Sequence, residues 1–381
     1  MKTTAPTILH LTESLARLGG VETFVNDWVG ADANSFAAAL LDSQNLLGQS
    51  EKKIGLRPNR LCSLAGIRNR TRRFHLQCGT LICHNFAGLI SFSDVIAHER
   101  LVVCLHTNSA DVWPRILRLA PFVDGFIAGG KSLAEKTRKL LGESRIVVAP
   151  FESPLDDSFF RARRAKKNGR ILVGFAGRLV VDQKRVDRLK EFCQALTDCG
   201  VDFRLQITGD GPDKSMLQEM LAPFPVDFLG TLARETLAKT FAGWDFQVIT
   251  SDYETGPAAL LEGMACGVIP IFPEMECQVL DVLGGRFGRL LYPVGKMRDA
   301  AARLLTLSRL PPTEMETLRA DLRALVAGKT MANHLQSVGN ILEEIQAKPA
   351  VRREMCFQGS WTDRLPLAVK CRWLGSSDFL K

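Results

Sequence analysis

The stretch Ser251-Asp252-Tyr253-Glu254-Thr255-Gly256-Pro257-Ala258-Ala259-Leu260-Leu261-Glu262-Gly263-Met264-Ala265-Cys266-Gly267-Val268-Ile269-Pro270 decides the fold. A polar turn carries Glu254, the Gly256-Pro257 step opens a helix, and Gly267 ends it before the apolar run Val268–Phe272. Proline suits a first helical turn because its missing N–H would be unpaired there, and glycine is the usual residue just past a helix end. The spacing predicts a helix from Pro257 to Cys266. Its positive dipole end, at Gly256, Pro257 and Ala258, with the free N–H groups of Gly256 and Ala258, makes a site for a phosphate or diphosphate. Glu262 then lies about 7–8 Å along the axis from that anion, at ~1.5 Å rise per residue. That offset suits a diphosphate whose sugar hydrogen-bonds one carboxylate and whose nucleoside ribose hydrogen-bonds the other. Two acids beside an anion repel it, so cations must come from elsewhere in the chain. The plain alternative is a capping Glu254 and a solvated Glu262.

Outward from this stretch, short apolar β-rich runs alternate with helical periodicities. Strands are expected near Thr7–Leu11, Phe36–Leu41, Leu81–His84, Leu101–His106, Gly125–Ala128 and Ile146–Ala149. A second set falls near Ile171–Ala176, Phe203–Thr208, Val226–Phe228, Phe246–Thr250, Val268–Phe272 and Arg289–Tyr292. Helical segments of about 10–15 residues between them are what βαβ units require. The expected class is α/β, with two doubly wound parallel sheets in Rossmann-like domains facing across a cleft. The domains are placed at 1–155 and 171–345, with a charged linker at 156–170 and a tail at 346–381 that returns to the first domain.

The 381 residues carry 46% hydrophobic and 24% charged side chains, the balance of a globular protein that buries a core in each domain. No apolar run approaches the ~18 residues of a membrane span, and Met1–Pro6 has no signal-peptide core, so a cytoplasmic location is expected. The ten cysteines are scattered without a Cys-x-x-Cys pair, which reads as reduced, buried thiols. The six histidines are too far apart in sequence for metal-ligand spacing, so no metal is expected. The net charge of +8 is concentrated in Lys52–Arg73, with eight basic residues and no acid, and in Arg161–Arg170, with six more. Such runs are either solvated surface or contacts for phosphates, acidic glycans or an anionic membrane. With two tyrosines in the chain and no aromatics interleaved with the basic runs, nucleic acid is the weakest partner class.

The missing cations stand earlier in the chain. Gly177-Arg178-Leu179 follows the strand Ile171–Ala176, and Lys184 lies seven residues beyond the glycine. A forked guanidinium and a point ammonium delivered by one turn can neutralise a diphosphate, although an ordinary basic loop reads the same way. Gly209-Asp210-Gly211-Pro212 after the next strand is a tight turn that shapes the same end of the sheet. Gly19-Gly20 opens a helix after the first strand, where glycine lets backbone approach a ligand, or simply turns the chain. His106 ends a strand, with His84-Asn85 on the preceding one. Gly125-Phe126-Ile127-Ala128-Gly129-Gly130-Lys131-Ser132 satisfies the P-loop formula, but its first glycine precedes strand-like residues where a P-loop glycine follows the strand.

Taken together, the Glu254 to Pro270 segment and the Gly177-Arg178-Leu179…Lys184 segment resemble the donor-binding signature of retaining GT-B glycosyltransferases, specifically glycosyltransferase family 4. The resemblance covers 171–295 well and 6–30 and 80–150 loosely. It implies transfer of a sugar from a nucleoside diphosphate sugar to a glycan, lipid-linked or small-molecule acceptor, with retention and without metal or cofactor. By resemblance, Arg178, Lys184 and the helix start hold the diphosphate, Glu254 holds the donor sugar, and Glu262 holds the ribose. Gly177, Thr231 and Leu232 lie near the donor, Gly19 and Gly20 lie beneath the diphosphate, and His106 faces the transferred sugar. Lys52–Arg73 would supply any peripheral membrane contact. The chain departs from the pattern at Pro150-Phe151-Glu152-Ser153, where relatives often have Asn-Gly, and at Thr255-Gly256 after the first glutamate. A non-catalytic glycan- or nucleotide-binding protein of the same fold is the alternative.

Overall fold

A computed structural model describes residues 7–16, 19–43, 51–57, 62–164, 169–254, 256–275, 283, 285–351 and 364. Thr255, and most of the tail beyond 351, lie outside the described residues. Contacts divide the chain into two units: Met1–Glu152 with the chain from His334 onward, and Ser153–Asn333.

The first unit holds a seven-stranded sheet: β1 Ile8–Thr12, β2 Ser35–Ala39, β3 Lys53–Gly55, β4 Gln77–His84, β5 Ala97–Leu105, β6 Gly125–Gly129 and β7 Val147–Phe151. Their order is β3-β2-β1-β4-β5-β6-β7, with every pairing parallel. The second unit holds β8 Ile171–Ala176, β9 Phe203–Thr208, β10 Val226–Gly230, β11 Phe246–Val248, β12 Ile269–Glu274 and β13 Leu291–Pro293. These run β10-β9-β8-β11-β12-β13, again parallel throughout. Both orders reverse direction once, between β1 and β4 and between β8 and β11. Ligands of doubly wound sheets bind at such switch points, beyond the carboxyl ends of the strands. The two doubly wound parallel sheets expected from the sequence are the ones observed.

Alternation along the first sheet sorts its two faces. Leu9, Leu11, Leu81, Cys83, Val103 and Leu105 pack into one core cluster, while Ile82, Val102, Cys104 and Ile127 pack into another. The second face is covered by the helix Gly20–Ala31, through Phe24, Val25 and Trp28, and by the helix Met331–Ala347, through Val338, Ile341, Leu342 and Ile345. A Cβ at Gly125 would lie 2.6 Å from Ile345 Cδ1. The returning helix thus seats directly on β6.

Two expectations change. The supposed linker belongs to the second unit: Asp157–Arg161 is helical, Leu155 and Phe159 lie in that unit's core, and Arg164 and Arg170 pair with Asp245 and Asp202. Arg161 also pairs, with Asp157, while Arg163 is exposed and Lys166 and Lys167 lie outside the described residues. The basic run Lys52–Arg73 is likewise broken up by structure. Lys52 donates to the carbonyls of Val29 and Asp32, Lys53 opens β3, and Arg68 is buried on Asp94 at 2.7 Å; Arg60 lies outside the described residues. Arg72 and Arg73 remain exposed on the helix Leu64–Arg73. As the sequence context implies, the P-loop formula fails: Gly125–Gly129 is itself strand, hydrogen-bonded to β5 and β7, and cannot form an anion nest. Cysteines 62, 78, 83, 104, 193 and 266 are buried free thiols, Cys199 is free and exposed, and 277, 356 and 371 lie outside the described residues. Among the described residues no helix is long and apolar enough to cross a membrane.

Candidate functional site

In the second unit, the loops that follow β8 and β11 meet at the switch point. Lys184 Nζ lies 2.5 Å from Glu254 Oε1, which also accepts a 2.6 Å hydrogen bond from Ser251 Oγ. Glu254 is 6% exposed, and these two donors offset the cost of burying it. The loops are fastened elsewhere too. Thr250 Oγ1 donates to Lys184 O, the Asp252 N–H donates to Gln183 O, and Asp252 takes Arg185 at 3.0 Å and Arg188 at 2.6 Å. Burial alone would raise the Asp252 carboxyl, but the hydrogen bonds from the two arginines outweigh it and hold the group below the usual range. Arg185 sits in the left-handed region at φ +48°, a conformation that costs a non-glycine residue about 1–2 kcal/mol and that its ion pairs to Asp187 and Asp252 hold in place. Ser251, Asp252, Arg185 and Arg188 carried no sequence signal of their own.

The helix runs Ala258–Ala265 with Pro257 as its N-cap, one residue inside each predicted end. The N–H groups of Gly256, Ala258 and Ala259 bond to no described residue. Its carboxyl end is closed by the helix Pro312–Val326: Arg319 donates to Gly267 O at 2.6 Å and Arg323 to Cys266 O at 3.2 Å. Gly267, at φ +80°, leaves room for Arg323, whose Nη2 a Cβ would meet at 2.6 Å. Glu262 is half-buried on this helix and is not free of partners.

Arg178 is exposed, and its side chain pairs with no described residue. Gly177 donates its N–H to Thr208 O, and Gly209 presses on it so closely that a Cβ at Gly209 would lie 1.9 Å from Gly177 O. Gly209 also stands at φ +127°, so glycine is demanded twice. Leu179 bonds Asp210 O, and Gly209 bonds Gly230 O, which ties the ends of β8, β9 and β10 together. Thr231, exposed, and Leu232, half-buried, follow β10 at this end.

In the first unit, His106 follows β5 and is drawn into a cluster that spacing along the chain does not reveal. His10 Nδ1 lies 3.0 Å from His84 Nε2, and His84 Nδ1 lies 2.8 Å from His106 Nε2. Cys104 Sγ is 3.3 Å from the same His106 nitrogen, and Asn85 Oδ1 accepts the His106 N–H at 2.7 Å. Phe24 packs its ring 5.0 Å from both His106 and Phe151, and 5.2 Å from His334. Phe151, which stands where relatives often have Asn-Gly, therefore forms part of the wall beside His106. Burial pushes His10 and His106 down to about 3 and His334 to about 4, and holds His84 well below its usual range. All four rings are neutral at physiological pH. Burial also keeps the Cys104 thiol protonated. His84, Cys104 and His106 offer donor atoms within 4.8 Å of one another, but both ring contacts are already hydrogen bonds and the thiol holds its proton. A cation would have to displace these protons.

Gly19 and Gly20 begin the helix after β1; both are exposed, and a Cβ at Gly20 would meet nothing within 4 Å. Packing does not demand glycine at 20. The cavity of about 450 Å³ lined by Arg72, His75, Gln77 and Asp94 lies by the amino ends of β4 and β5 and holds none of these residues.

Residues 156–323 match the family of glycosyl transferases group 1. Over 98 residues the chain is 39% identical to a GDP-mannose-dependent alpha-(1-6)-phosphatidylinositol dimannoside mannosyltransferase of Mycobacterium tuberculosis, an alignment that spans 26% of each protein. It is 35% identical over 147 residues to a GDP-mannose-dependent alpha-mannosyltransferase of the same species, covering 38% of this chain and 36% of that one. The matches thus span about a quarter to a third of these relatives' length. A crystal structure of Anabaena HepE in complex with UDP-glucose superposes with a TM-score of 0.72 at 16% identity, over 89% of this chain and all of that one, and shares the fold.

Proposed function

We propose that this chain, a GT-B member of the group 1 glycosyltransferase family, transfers a sugar from a nucleoside diphosphate sugar to a hydroxyl of a glycan, lipid-linked or small-molecule acceptor. The observation that carries the proposal is the Lys184–Glu254 pair at 2.5 Å, which joins two motifs distant in sequence beside the start of the helix Ala258–Ala265. An ammonium, the exposed Arg178 and open helix N–H groups supply the charge that a departing diphosphate needs as its bond to the sugar breaks. Glu254 would hold the sugar's hydroxyls and orient Lys184, Glu262 would hold the ribose, and His106 would face the transferred sugar. No side-chain nucleophile is required. The departing phosphate oxygen takes the acceptor's proton on the face it leaves, which retains configuration. The cations are the protein's own, so activity should survive a metal chelator. GDP-mannose, the donor named for the two relatives, is the first to try. The test is a panel of nucleotide sugars with released nucleoside diphosphate as readout, run with and without EDTA. Turnover of one donor in both conditions is expected; no turnover of any donor with a range of acceptors would overturn the proposal.

A further inference from the structure

Period-two alternation places His10 on β1, His84 on β4, and Cys104 with His106 at the end of β5 on one sheet face, beneath Phe24 and Trp28. Because β1, β4 and β5 are neighbours, the three rings form a line: His10 Nδ1 to His84 Nε2 at 3.0 Å, then His84 Nδ1 to His106 Nε2 at 2.8 Å. A neutral imidazole carries one N–H, so only two arrangements satisfy both contacts. In one, each ring donates from Nδ1 toward His106. In the other, each donates from Nε2 toward His10, which leaves an N–H on His10 Nε2.

That nitrogen is buried and has no partner among the described residues. Orphaned buried N–H groups are rarer than under-satisfied acceptors. The neighbouring Trp28 Nε1, always a donor, is also unpartnered, and its ring centroid lies 4.5 Å from that of His10. A second orphan donor there would compound the cost, whereas a bare acceptor would not. His334 sets the precedent in the same packing: its Nδ1 faces Glu152 O at 3.0 Å, a carbonyl that only accepts, so its unpartnered Nε2 is bare.

We propose that His10 and His84 are positioning residues whose relay holds His106 in its neutral, Nδ1-protonated tautomer, so that the ring presents a hydrogen-bond donor, not a base, to a hydroxyl oxygen of the bound sugar. His106 Nε2 is occupied by His84 and Cys104, while Nδ1 bonds to no described residue, and His106 as a whole is half-buried. The role of His106 toward the sugar rests on the function proposed above; the relay does not.

Ring-¹⁵N-labelled histidine in the full chain, read by two-bond ¹H–¹⁵N correlation without substrate and assigned by loss of the signal in His106→Asn, should show His106 protonated at Nδ1 and bare at Nε2. An Nε2–H signal would overturn the proposal, and this measurement stands even if no relay variant folds. His10→Phe removes the first donor, so His106 should become a mixture of tautomers and kcat/KM should fall roughly fivefold to tenfold, the loss of one hydrogen bond. His10→Gln, with an amide donor toward His84, should restore both readouts. A single Nδ1–H tautomer persisting in His10→Phe would also overturn the relay. The expected tautomer in a chain that transfers no sugar would instead sink the functional proposal and leave the relay standing.

Discussion

The first unit holds its polar cluster without net charge, and the second holds its own almost wholly by charge. At the β1/β4 switch, four histidines are kept neutral by burial and bonded in a line or to a carbonyl. At the β8/β11 switch, Lys184, Arg185 and Arg188 pair with Glu254 and Asp252. All six histidines of the sequence lie outside Ser153–Asn333, so the units also differ in what acid can reach. A neutral hydrogen-bonding wall suits hydroxyl groups, and an ionic cluster suits a phosphate. The contrast teaches that the two switch points, alike in topology, are dressed with opposite chemistry.

Acid should break this contrast most strongly. In the folded chain His10 and His106 titrate at about 3 and His334 at about 4, and His84 well below the ordinary 6.5, so between these values and 6.5 the unfolded chain binds more protons. Stability from the rings is therefore complete above about pH 6.5 and lost as pH falls, by about 1.4 kcal/mol per pH unit for each ring. Urea melts from pH 7 to 5 should show the first unit losing several kcal/mol while the second, without histidine, changes far less. Equal losses in both units would refute the asymmetry. Lys184→Ala should lower kcat about 10²–10³-fold if the ammonium stabilises the departing charge, with a smaller change in donor KM. It should also cost about 2 kcal/mol of stability by leaving the Glu254 carboxylate underpaired, less than a fully buried pair would because Lys184 is 21% exposed. Gly209→Ala drives a Cβ into Gly177 O from a left-handed backbone. About 2 kcal/mol should be lost, confined to the calorimetric transition of the second unit. The smallest effect is expected for Glu262→Ala, which should raise donor KM roughly fivefold to tenfold and leave kcat nearly unchanged.

Much of the fold was legible, because apolar runs bounded by glycine and polar turns mark buried parallel strands. Ile171–Ala176 and Phe203–Thr208 match their predicted limits. β3 was not legible, since three residues inside a basic run carry too little periodicity. β5 begins earlier than its apolar run because Ala97–Arg100 is a half-exposed stretch with His98, Glu99 and Arg100. Charge also hid the helix Asp157–Arg161, whose buried Phe159 sits among arginines. In the second unit, Lys184 and Glu254 were found as parts of local motifs, and the fold brings them into contact. The histidine line was not legible, because residues 10, 84, 106 and 334 have no local pattern. Their meeting depends on β1 lying beside β4, and on a last helix folding back onto the first sheet.

The short helix Ala258–Ala265 has unequal ends. The carbonyls of Cys266 and Gly267, just past its end, are gripped by Arg319 and Arg323, cations of an outer helix, while its first N–H groups meet no described partner. On the function proposed above, substitutions in that outer helix would retune the field felt by a leaving pyrophosphate without touching any side chain near the reacting bond.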